Sequence, residues 1–444
     1  MRESKSGRRA PLSHSQEGHF FLGQLAGGRL ERDKNVFAVY RVKAIETEVI
    51  EQALSLIAYR HDVFRTRILL GSACEQVLTD EPNFPLIRQK ASGESPEDLQ
   101  SDLFAIIGRE ITHDFDPSTG TMSRGCLIDA LSVGTYLVVT LDHYIADPYS
   151  MILFTRELSA VCTALRAGTR PRLPALDTQY IDYSDWQRSL APSQLSKNIS
   201  YWLSVFADTP QLSVPFAQPS AMGIDRGVIG CVERIVIPGA SKVMRKLRRT
   251  AGVTPYSCVM AALLHAFFQM GATPRITVAT FGAHRPRKDT ANLIGNFGSI
   301  CFVQVDASDA PTFAELAQRI QASTLAGLNH SMIGFADIIA IPESQTVLNR
   351  ALYPWTVLHY FDSIQGDDSS GLEAVRLQEL DPMDTNNQQG VNVGPIDLHM
   401  VAEQAADSLE GELRYNSRLF EKSAIQTLID LVGRQLSLAE TGRE

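Results

Sequence analysis

The sequence has few cysteines, and they are not arranged as metal ligands or redox pairs. The 444 residues contain six, at positions 74, 126, 162, 231, 258 and 301, and no two of them form a C-x-x-C pair. This spacing argues against a structural zinc site. Most of these cysteines lie inside apolar runs, where a thiol behaves as a small hydrophobic side chain. Free thiols of this kind suit a reducing compartment, so we expect a cytoplasmic location. From the cysteine spacing, we expect no bound metal.

Long apolar runs and an excess of positive charge are also missing. No run approaches the roughly 20 apolar residues of a membrane helix, and the basic, polar N-terminus MRESKSGRRAPLSHSQ does not resemble a secretory signal. The net charge is −9, so Lys and Arg are not in excess to neutralise phosphates. The basic run SKVMRKLRRT (241–250) is typical of a solvated helix face. We expect neither a membrane nor nucleic acid as a partner.

Helix and strand patterns alternate along the whole chain, which favours an α/β fold. Strands are predicted at SRGCLIDAL and GTYLVVTL, and a hairpin at IDLHMVAE and LEGELRYN. Capping residues predict three helix starts, at Ser95, at Thr254 with Pro255 in the first turn, and at Thr312, which forms a capping box with Glu315.

The length is large for one core, so two or three domains are expected. The predicted organisation is a disordered lead-in at 1–10, a first lobe at 11–175, a connector rich in Pro, Arg and aromatics at 176–200, and a second lobe at 201–444. The acidic, Asn/Gln/Gly-rich stretch 363–394 is predicted to be an exposed loop.

A titratable cluster of Asp142, His143 and Asp147 lies where two apolar runs meet, in TYLVVTLDHYIADPYSMILFTREL. The first run is typical of a buried strand and the second of an amphipathic helix. Asp147 followed by Pro148 is a typical helix start, and His143 would then be an ordinary polar residue at a strand end. Alternatively, His143 is a base or polar anchor at a cleft, because imidazole titrates near neutral pH. A buried Asp147 would then need a cationic partner.

Standard signatures of other enzymes are absent: the sequence has no G-x-S-x-G elbow, H-E-x-x-H, P-loop or G-x-G-x-x-G. The H-x-x-x-D pattern of His143 and Asp147 instead resembles the core motif of the condensation-domain superfamily. These domains form amides and esters in nonribosomal peptide synthesis, including antibiotic biosynthesis, and are related to chloramphenicol acetyltransferase. Other segments resemble further motifs of that family in the family's order: LSHSQEGHFFL (12–22), RHDVFRTRI (60–68), YIDYSDWQ (180–187), YWLSVF (201–206), LIGNFGSICFVQVD (293–306), NHSMIGFADII (329–339), RALYPWTVLHYFD (350–362) and LRYNSRLF (413–420).

The resemblance implies an α/β fold of two chloramphenicol acetyltransferase-like lobes, which form a V-shaped pseudo-dimer around a central tunnel. It implies that His143 assists the attacking amine or hydroxyl and that Asp147 supports the site. Arg285, in FGAHRPRKD, matches the Arg that pairs with this Asp across the lobes. Arg65 in the second motif is expected to be structural.

Three departures from the family pattern bear on the site. Asp142 stands where the family has the first His of a pair, and a carboxylate there is expected to raise the basicity of His143. Pro148 replaces a Gly, which fixes φ and removes an N–H beside the tunnel. GSIC (298–301) replaces a more polar stretch, which is expected to alter contacts with the acceptor. Since both changes are expected to affect the tunnel, Pro148 and Ser299 are expected to contact substrate.

The resemblance thus predicts an acyltransferase. Its donor would be an acyl thioester on the phosphopantetheine of a carrier protein, or on CoA, and its acceptor a small amine or alcohol. No bound cofactor is expected. Because no adenylation or carrier segment is visible, we expect a free-standing unit, and a monomer, since two lobes already build one site. One alternative is a catalytically inactive docking module that recruits partner enzymes or carrier proteins, and another is a plain CoA-dependent acetyltransferase.

Overall fold

The computed structural model of this protein describes most of the chain. The described residues are 7–25, 35–71, 74–207, 230–283, 285–334, 337–338, 340–341, 356–362, 370–375, 398–404 and 407–438. Within these ranges the chain forms two lobes, each of which packs helices against its own main β-sheet.

The first lobe is built on a five-stranded sheet. In spatial order its strands are β12 (Leu372–Val375), β2 (Asn35–Val42), β7 (Thr135–Asp142), β6 (Ser123–Asp129) and β5 (Leu86–Lys90). The runs SRGCLIDAL and GTYLVVTL, predicted as strands, form β6 and β7, which pair antiparallel. β7 is the middle strand, and every residue after its first is buried. The strand therefore provides a rigid base for the cluster at its end.

Helices cover both faces of this sheet. They are α1 (His14–Leu25), α2 (Thr47–Arg60), α3 (Pro96–Ile111), α4 (Pro148–Arg166) and α5 (Tyr180–Arg188). α3 begins with the predicted Ser95 cap and packs over one face, where Leu103 contacts the cluster around Val138. α2 and α4 pack over the opposite face, against a cluster that includes Leu137 and Leu141. A small sheet of β1 (Arg9–Pro11), β4 (Glu75–Leu78) and β3 (Thr66–Leu69) completes the lobe.

The second lobe is built on a six-stranded sheet. In spatial order its strands are β10 (Gly298–Asp306), β9 (Arg275–Ala283), β11 (Thr356–Asp362), β13 (Leu398–Gln404), β14 (Ser408–Asn416) and β8 (Gly230–Pro238). β13 and β14 form the predicted antiparallel hairpin. Four helices, whose apolar side chains pack with one face of the sheet in a single core, are α7 (Ala240–Ala251), α8 (Pro255–Gln269), α9 (Phe313–Asn329) and α10 (Lys422–Leu438).

The helix starts predicted in this lobe follow local capping chemistry. The Thr254 side chain accepts a hydrogen bond from the Ser257 amide, with Pro255 in the first turn of α8. Thr312 and Glu315 form the predicted capping box of α9. Among the described helices, none by itself has the length and apolar character to cross a membrane; α7 and α8 together meet those two criteria, but with a bend of 106° between them.

The segment between the two lobes is largely helical. The predicted connector, 176–200, contains α5 and the beginning of α6 (Pro192–Ala207). Tyr180 of α5 is buried in the core of the first lobe, whereas Trp202 of α6 packs with Phe302 of the second-lobe sheet. Aromatic side chains of α5 and α6 therefore attach these two consecutive helices to different lobes.

Two segments predicted to be irregular belong to sheets instead. Arg9 and Ala10, in the predicted lead-in, are part of β1, and Ala10 packs against Ile181 of α5. Leu372–Val375, in the predicted exposed loop and second lobe, forms β12 by antiparallel pairing with β2 of the first lobe. The other residues of that loop lie outside the described ranges, apart from 370 and 371. Polar local composition carries no information about pairing with a distant strand, which explains both differences.

Candidate active site

His143 lies on the short loop that joins β7 to α4, and its side chain is half-buried. The loop is a tight turn, in which the Ile145 amide donates to the carbonyl of Asp142 at 3.0 Å. Asp147 then caps α4 by accepting from the Ser150 amide at 2.7 Å, as the Asp-Pro pair predicted. A buried strand end and a capped helix thus hold His143 from both sides along the chain.

The Asp142 carboxylate is part of this turn. It accepts a hydrogen bond from the Tyr144 amide at 2.7 Å, and the residue is buried. Burial, with the nearby Asp142 charge, raises the pKa of the Tyr144 phenol, which stays protonated at neutral pH. The observed contact of Asp142 shapes the loop backbone; the expected effect on the basicity of His143 remains a prediction.

The structure brings Asp147 and Arg285 together across the two lobes. The Asp147 side chain has no exposed surface, and Arg285 donates to both of its oxygens, at 3.1 and 3.2 Å. The same carboxylate accepts from the amides of Ser150 and Phe297. A bidentate guanidinium and two backbone amides therefore satisfy this buried charge. Arg285 is the cationic partner that a buried Asp147 was expected to need.

Arg285 is itself enclosed by aromatic rings. Its guanidinium carbon lies 4.4 Å from the centroid of Tyr149 and 4.3 Å from that of Phe297. Both distances are within the range of cation–π attraction, which adds to the ion pair. Tyr149 follows Pro148 in the first turn of α4 and stays partly exposed. Tyr149 was not among the site residues predicted from the sequence.

A second link between the lobes joins Ser150 to Gly295. The Ser150 hydroxyl donates to the Gly295 carbonyl at 2.7 Å and accepts from the Gly295 amide at 3.0 Å. Gly295 lies against the ring of Tyr180, whose hydroxyl bonds to Asn296 O and to Ser13 Oγ. Ser150 was not among the site residues predicted from the sequence. The available signal was its position three residues after the cap, in the same helical turn that Asp147 begins.

Arg65 lies in a 3₁₀ turn (Asp62–Arg65) of the first lobe. Its guanidinium donates to the Asp62 carboxylate at 2.8 and 3.1 Å and to the carbonyl of Thr79 at 3.5 Å. These contacts tie the turn to the strand region near β4. The structural role expected for Arg65 remains a prediction.

The two residues predicted to contact substrate have local partners in this structure. Pro148 is half-buried at the first position of α4, where its missing N–H leaves no bond unmade. Ser299 is half-buried on β10, and its hydroxyl donates to the carbonyls of Ser331, at 3.3 Å, and Ile300, at 3.5 Å. Their contact with substrate remains a prediction.

Helix α1 brings a second imidazole to the site. The ring centroids of His19 and His143 are 5.2 Å apart with 30° between the ring planes. One turn earlier on the helix, the Gln16 side chain donates to the Tyr144 carbonyl at 3.1 Å. Neither residue was singled out from the sequence, since nothing local connects α1 with a loop more than a hundred positions away.

Five cysteines are free, and all but the first are buried: Cys74, Cys126, Cys162, Cys258 and Cys301. Within the described ranges no three His, Cys, Asp or Glu side chains are grouped to hold a metal ion. The part of the motif-like segment 350–362 before Thr356, which the sequence analysis also used, lies outside the described residues.

Comparison with known proteins adds the family. The family model of the Condensation domain matches residues 7–439. Phosphinothricin tripeptide synthetase PhsC of Streptomyces viridochromogenes is 26% identical over 437 residues, which are 96% of this chain and 38% of that protein. This chain therefore spans well under half of that relative. Its curated relatives are nonribosomal peptide synthetases of natural-product biosynthesis, in agreement with the sequence analysis.

Solved structures share the fold. The first condensation domain of the calcium-dependent antibiotic synthetase, in complex with a substrate analogue, has a TM-score of 0.76 at 17% identity, covering 98% of this chain and 97% of that one. The X-domain in complex with OxyB from teicoplanin biosynthesis has a TM-score of 0.71 at 22% identity, covering 98% and 94%. The predicted two-lobed α/β fold is confirmed. Since the family model covers nearly the whole chain, this protein belongs to the Condensation domain family.

Proposed function

We propose that this chain is a condensation-type acyltransferase, which transfers an acyl group from a thioester to an amine or hydroxyl acceptor. The observation that carries the proposal is the setting of His143. Its half-buried imidazole follows a buried strand and precedes, by four residues, a carboxylate ion-paired with the other lobe. Such a brace holds a titratable ring in a defined place where two lobes meet.

The proposed reaction exchanges the C–S bond of the acyl group for a C–N or C–O bond and moves one proton from the acceptor to the leaving thiol. The acceptor nitrogen or oxygen attacks the thioester carbonyl carbon, and the His143 imidazole takes the proton from the acceptor. The C–S bond then breaks, and the leaving thiolate takes the proton back from the His143 imidazolium. An ordinary imidazole titrates near pH 6.5, so it can accept this proton near neutrality.

Much of the proposed rate acceleration comes from holding both reactants in place. The loop carrying His143 is linked through Asp147 and Ser150 to Phe297 and Gly295 of the second lobe. Reactants bound between the lobes would therefore meet a ring that is fixed relative to both. The proposed donor is carried on the phosphopantetheine of a carrier protein or on CoA, and the proposed acceptor is a small amine or alcohol.

The test uses intact-mass analysis of acylated carrier proteins incubated with this protein and a panel of amines and alcohols. Loss of the acyl group from the carrier, with appearance of the matching amide or ester, identifies a substrate pair. His143→Ala is then expected to slow product formation about 100-fold or more, the usual contribution of a general base. Undiminished product formation by this variant would contradict the assigned role.

A matched control is His265→Ala in α8. This imidazole is half-buried in the second lobe and bonds to Gln269 on its own helix. Replacing it is expected to leave the rate unchanged, because its observed bond lies within one helix. Equal losses in both variants would show that removal of any imidazole damages the protein, and not that His143 acts on the acceptor.

The second candidate function is a docking module without catalysis. Asp142 and Pro148 both depart from the family pattern at the site, and one structural neighbour is an X-domain in complex with OxyB. A docking module would bind an acylated carrier or a partner enzyme and leave the thioester intact. Binding without any transfer across the donor and acceptor panel would favour this reading over the acyltransferase.

The donor class is separated by the same assay. Acyl-CoA supplied without carrier protein would suffice for a plain CoA-dependent acetyltransferase. A carrier-dependent enzyme would instead form product only when the acyl phosphopantetheine is attached to protein. We propose the carrier-bound donor because the curated relatives are peptide synthetases.

A further inference from the structure

The ring of His19 lies against the ring of His143. The two imidazoles stack with centroids 5.2 Å apart and planes inclined by 30°. The edge of the His19 ring also meets Tyr144, with centroids 4.9 Å apart and an interplanar angle of 88°. His19 thus contacts two consecutive residues of the loop, and like His143 it is half-buried.

The helix that carries His19 is itself fixed to this region. Gln16, one turn earlier on the same face, is buried and donates to the Tyr144 carbonyl at 3.1 Å. The start of α1 is held by Ser13, whose hydroxyl is 2.7 Å from the Tyr180 hydroxyl, and by the His14 amide, which donates to Gln187. These bonds fix the position of α1 along its axis and its rotation about that axis, and therefore the position of the His19 ring.

A histidine ring turns easily about its last side-chain bond, because that torsion has a broad energy profile. A flat neighbour held parallel to the ring narrows this range through dispersion and stacking. We propose that His19 is a positioning residue for His143: its stacked ring fixes the angle at which the His143 imidazole meets the acceptor. This inference rests on the proposed function of His143, and it assigns to His19 no contact with the reacting atoms.

The contact is tested first, without substrate. In protein labelled with ¹³C at histidine Cε1, the His143 signal is identified by its loss in His143→Ala. His19→Leu removes the ring current above His143, and the expected result is a shift of that signal. An unchanged signal would overturn the inference, whether or not the protein is an acyltransferase.

The consequence is tested with the acylated carrier protein and acceptor that give product in the mass assay. His19→Leu is expected to lower kcat about tenfold with KM nearly unchanged, since misplaced catalytic groups reduce rate more than binding. His19→Phe restores a flat ring and is expected to recover most of kcat. A purely structural role would predict no such split and no recovery by Phe.

Phe20→Leu is the matched control, because it removes a half-buried ring from the same helix. The observed ring contact of Phe20 is with Phe21, and not with the loop that carries His143. This variant is expected to leave kcat within about twofold of the parent protein. Equal kcat losses in Phe20→Leu and His19→Leu would overturn the inference, as would full kcat in His19→Leu. Full activity of His143→Ala would refute the proposed function instead, and it is measured separately.

Discussion

The charge of Asp147 is completely buried, and its compensation comes from Arg285, 138 positions further along the chain. Each charge is expensive to bury alone, and together they form a bidentate pair with amide donors around the carboxylate. The pair therefore adds little net stability compared with an apolar pair, but the loss of one partner is costly. Because separating Asp147 from Arg285 would leave a charge buried without its partner, the pair keeps the loop that carries His143 attached to the second lobe.

We expect Arg285→Met to destabilise the protein by about 3–5 kcal/mol, because it leaves the Asp147 carboxylate buried without its cation. The free energy of unfolding is measured by urea denaturation. Arg319→Ala is the control, since Arg319 pairs with Asp309 on the exposed surface and its loss is expected to have little effect. A urea midpoint for Arg285→Met equal to that of the parent protein would contradict this account of the brace.

At the scale of elements, α2 and α4 are joined by a buried polar network. Glu157 of α4 bonds to His61 Nε2 at 2.9 Å and accepts from Arg60 Nε at 3.0 Å. The Ile294 amide of the second lobe lies 3.4 Å from the other His61 nitrogen. Burial alone would raise the pKa of Glu157, but the bonds and charges of His61 and Arg60 outweigh it, and the pKa is lowered.

The lowered pKa of Glu157 makes the free energy of unfolding depend on pH in the acidic range. Because the folded pKa of Glu157 lies below its unfolded value of about 4.3, the ionised group stabilises the fold above that pH. That contribution is lost as pH falls through the folded pKa. We therefore expect the unfolding free energy of Glu157→Gln to fall less steeply below about pH 4.3 than that of the parent protein.

The measurement is a series of urea titrations between about pH 3 and pH 7. Glu51→Gln is the control, since this exposed carboxylate of α2 pairs with Arg88 at the surface. Its stability should follow the parent protein across the whole range. Parallel curves for Glu157→Gln and the parent would show that the network does not favour the ionised form.

Element boundaries were largely predictable, because the signals that set them are local. Ser95, Thr254 and Thr312 were each identified as helix starts, and each side chain accepts the expected amide hydrogen. β12 was not predicted, because four residues of mixed polarity become a strand only when the edge of β2 is present. His19 was not predicted for the same reason, since its proposed role depends on a contact between α1 and a loop that is remote in sequence.

At the scale of the whole molecule, the two lobes share structure. Leu293, Ile294 and Phe297 follow β9 of the second lobe but are buried in the core of the first. The chain also returns to the first lobe at β12, where Gly371 has a φ of +80° and its carbonyl accepts from the Lys43 amide. Two separate crossings therefore tie the lobes together, and the site lies beside the first.

Gly295→Ala tests this crossing. A Cβ at this position would lie 2.1 Å from Tyr180 Cδ2, and Tyr180 is buried and hydrogen-bonded. We expect a loss of about 1–3 kcal/mol in unfolding free energy, the usual cost of overpacking, and reduced acyl transfer. Urea denaturation and the mass assay provide the two readouts.

Gly433→Ala is the matched control for that substitution. Gly433 lies within α10, and its added Cβ would have only Ile237, at 3.9 Å, within contact distance. Because Ala favours a helix over Gly by about 1 kcal/mol, this variant should be as stable as the parent or more so. Stability losses of the same size at both glycines would argue against a specific clash with Tyr180.

The sequence by itself determined the local course of the chain and its family. A buried strand, a turn bearing His143, and a helix capped by Asp147 all follow from neighbouring residues, and the order of the motifs indicated the Condensation domain family. Only the tertiary structure decided which distant groups meet there: Arg285 at Asp147, Gly295 at Ser150 and His19 at His143. Capping and hydrophobic periodicity act over a few residues, whereas these contacts exist only after two lobes have packed into one core.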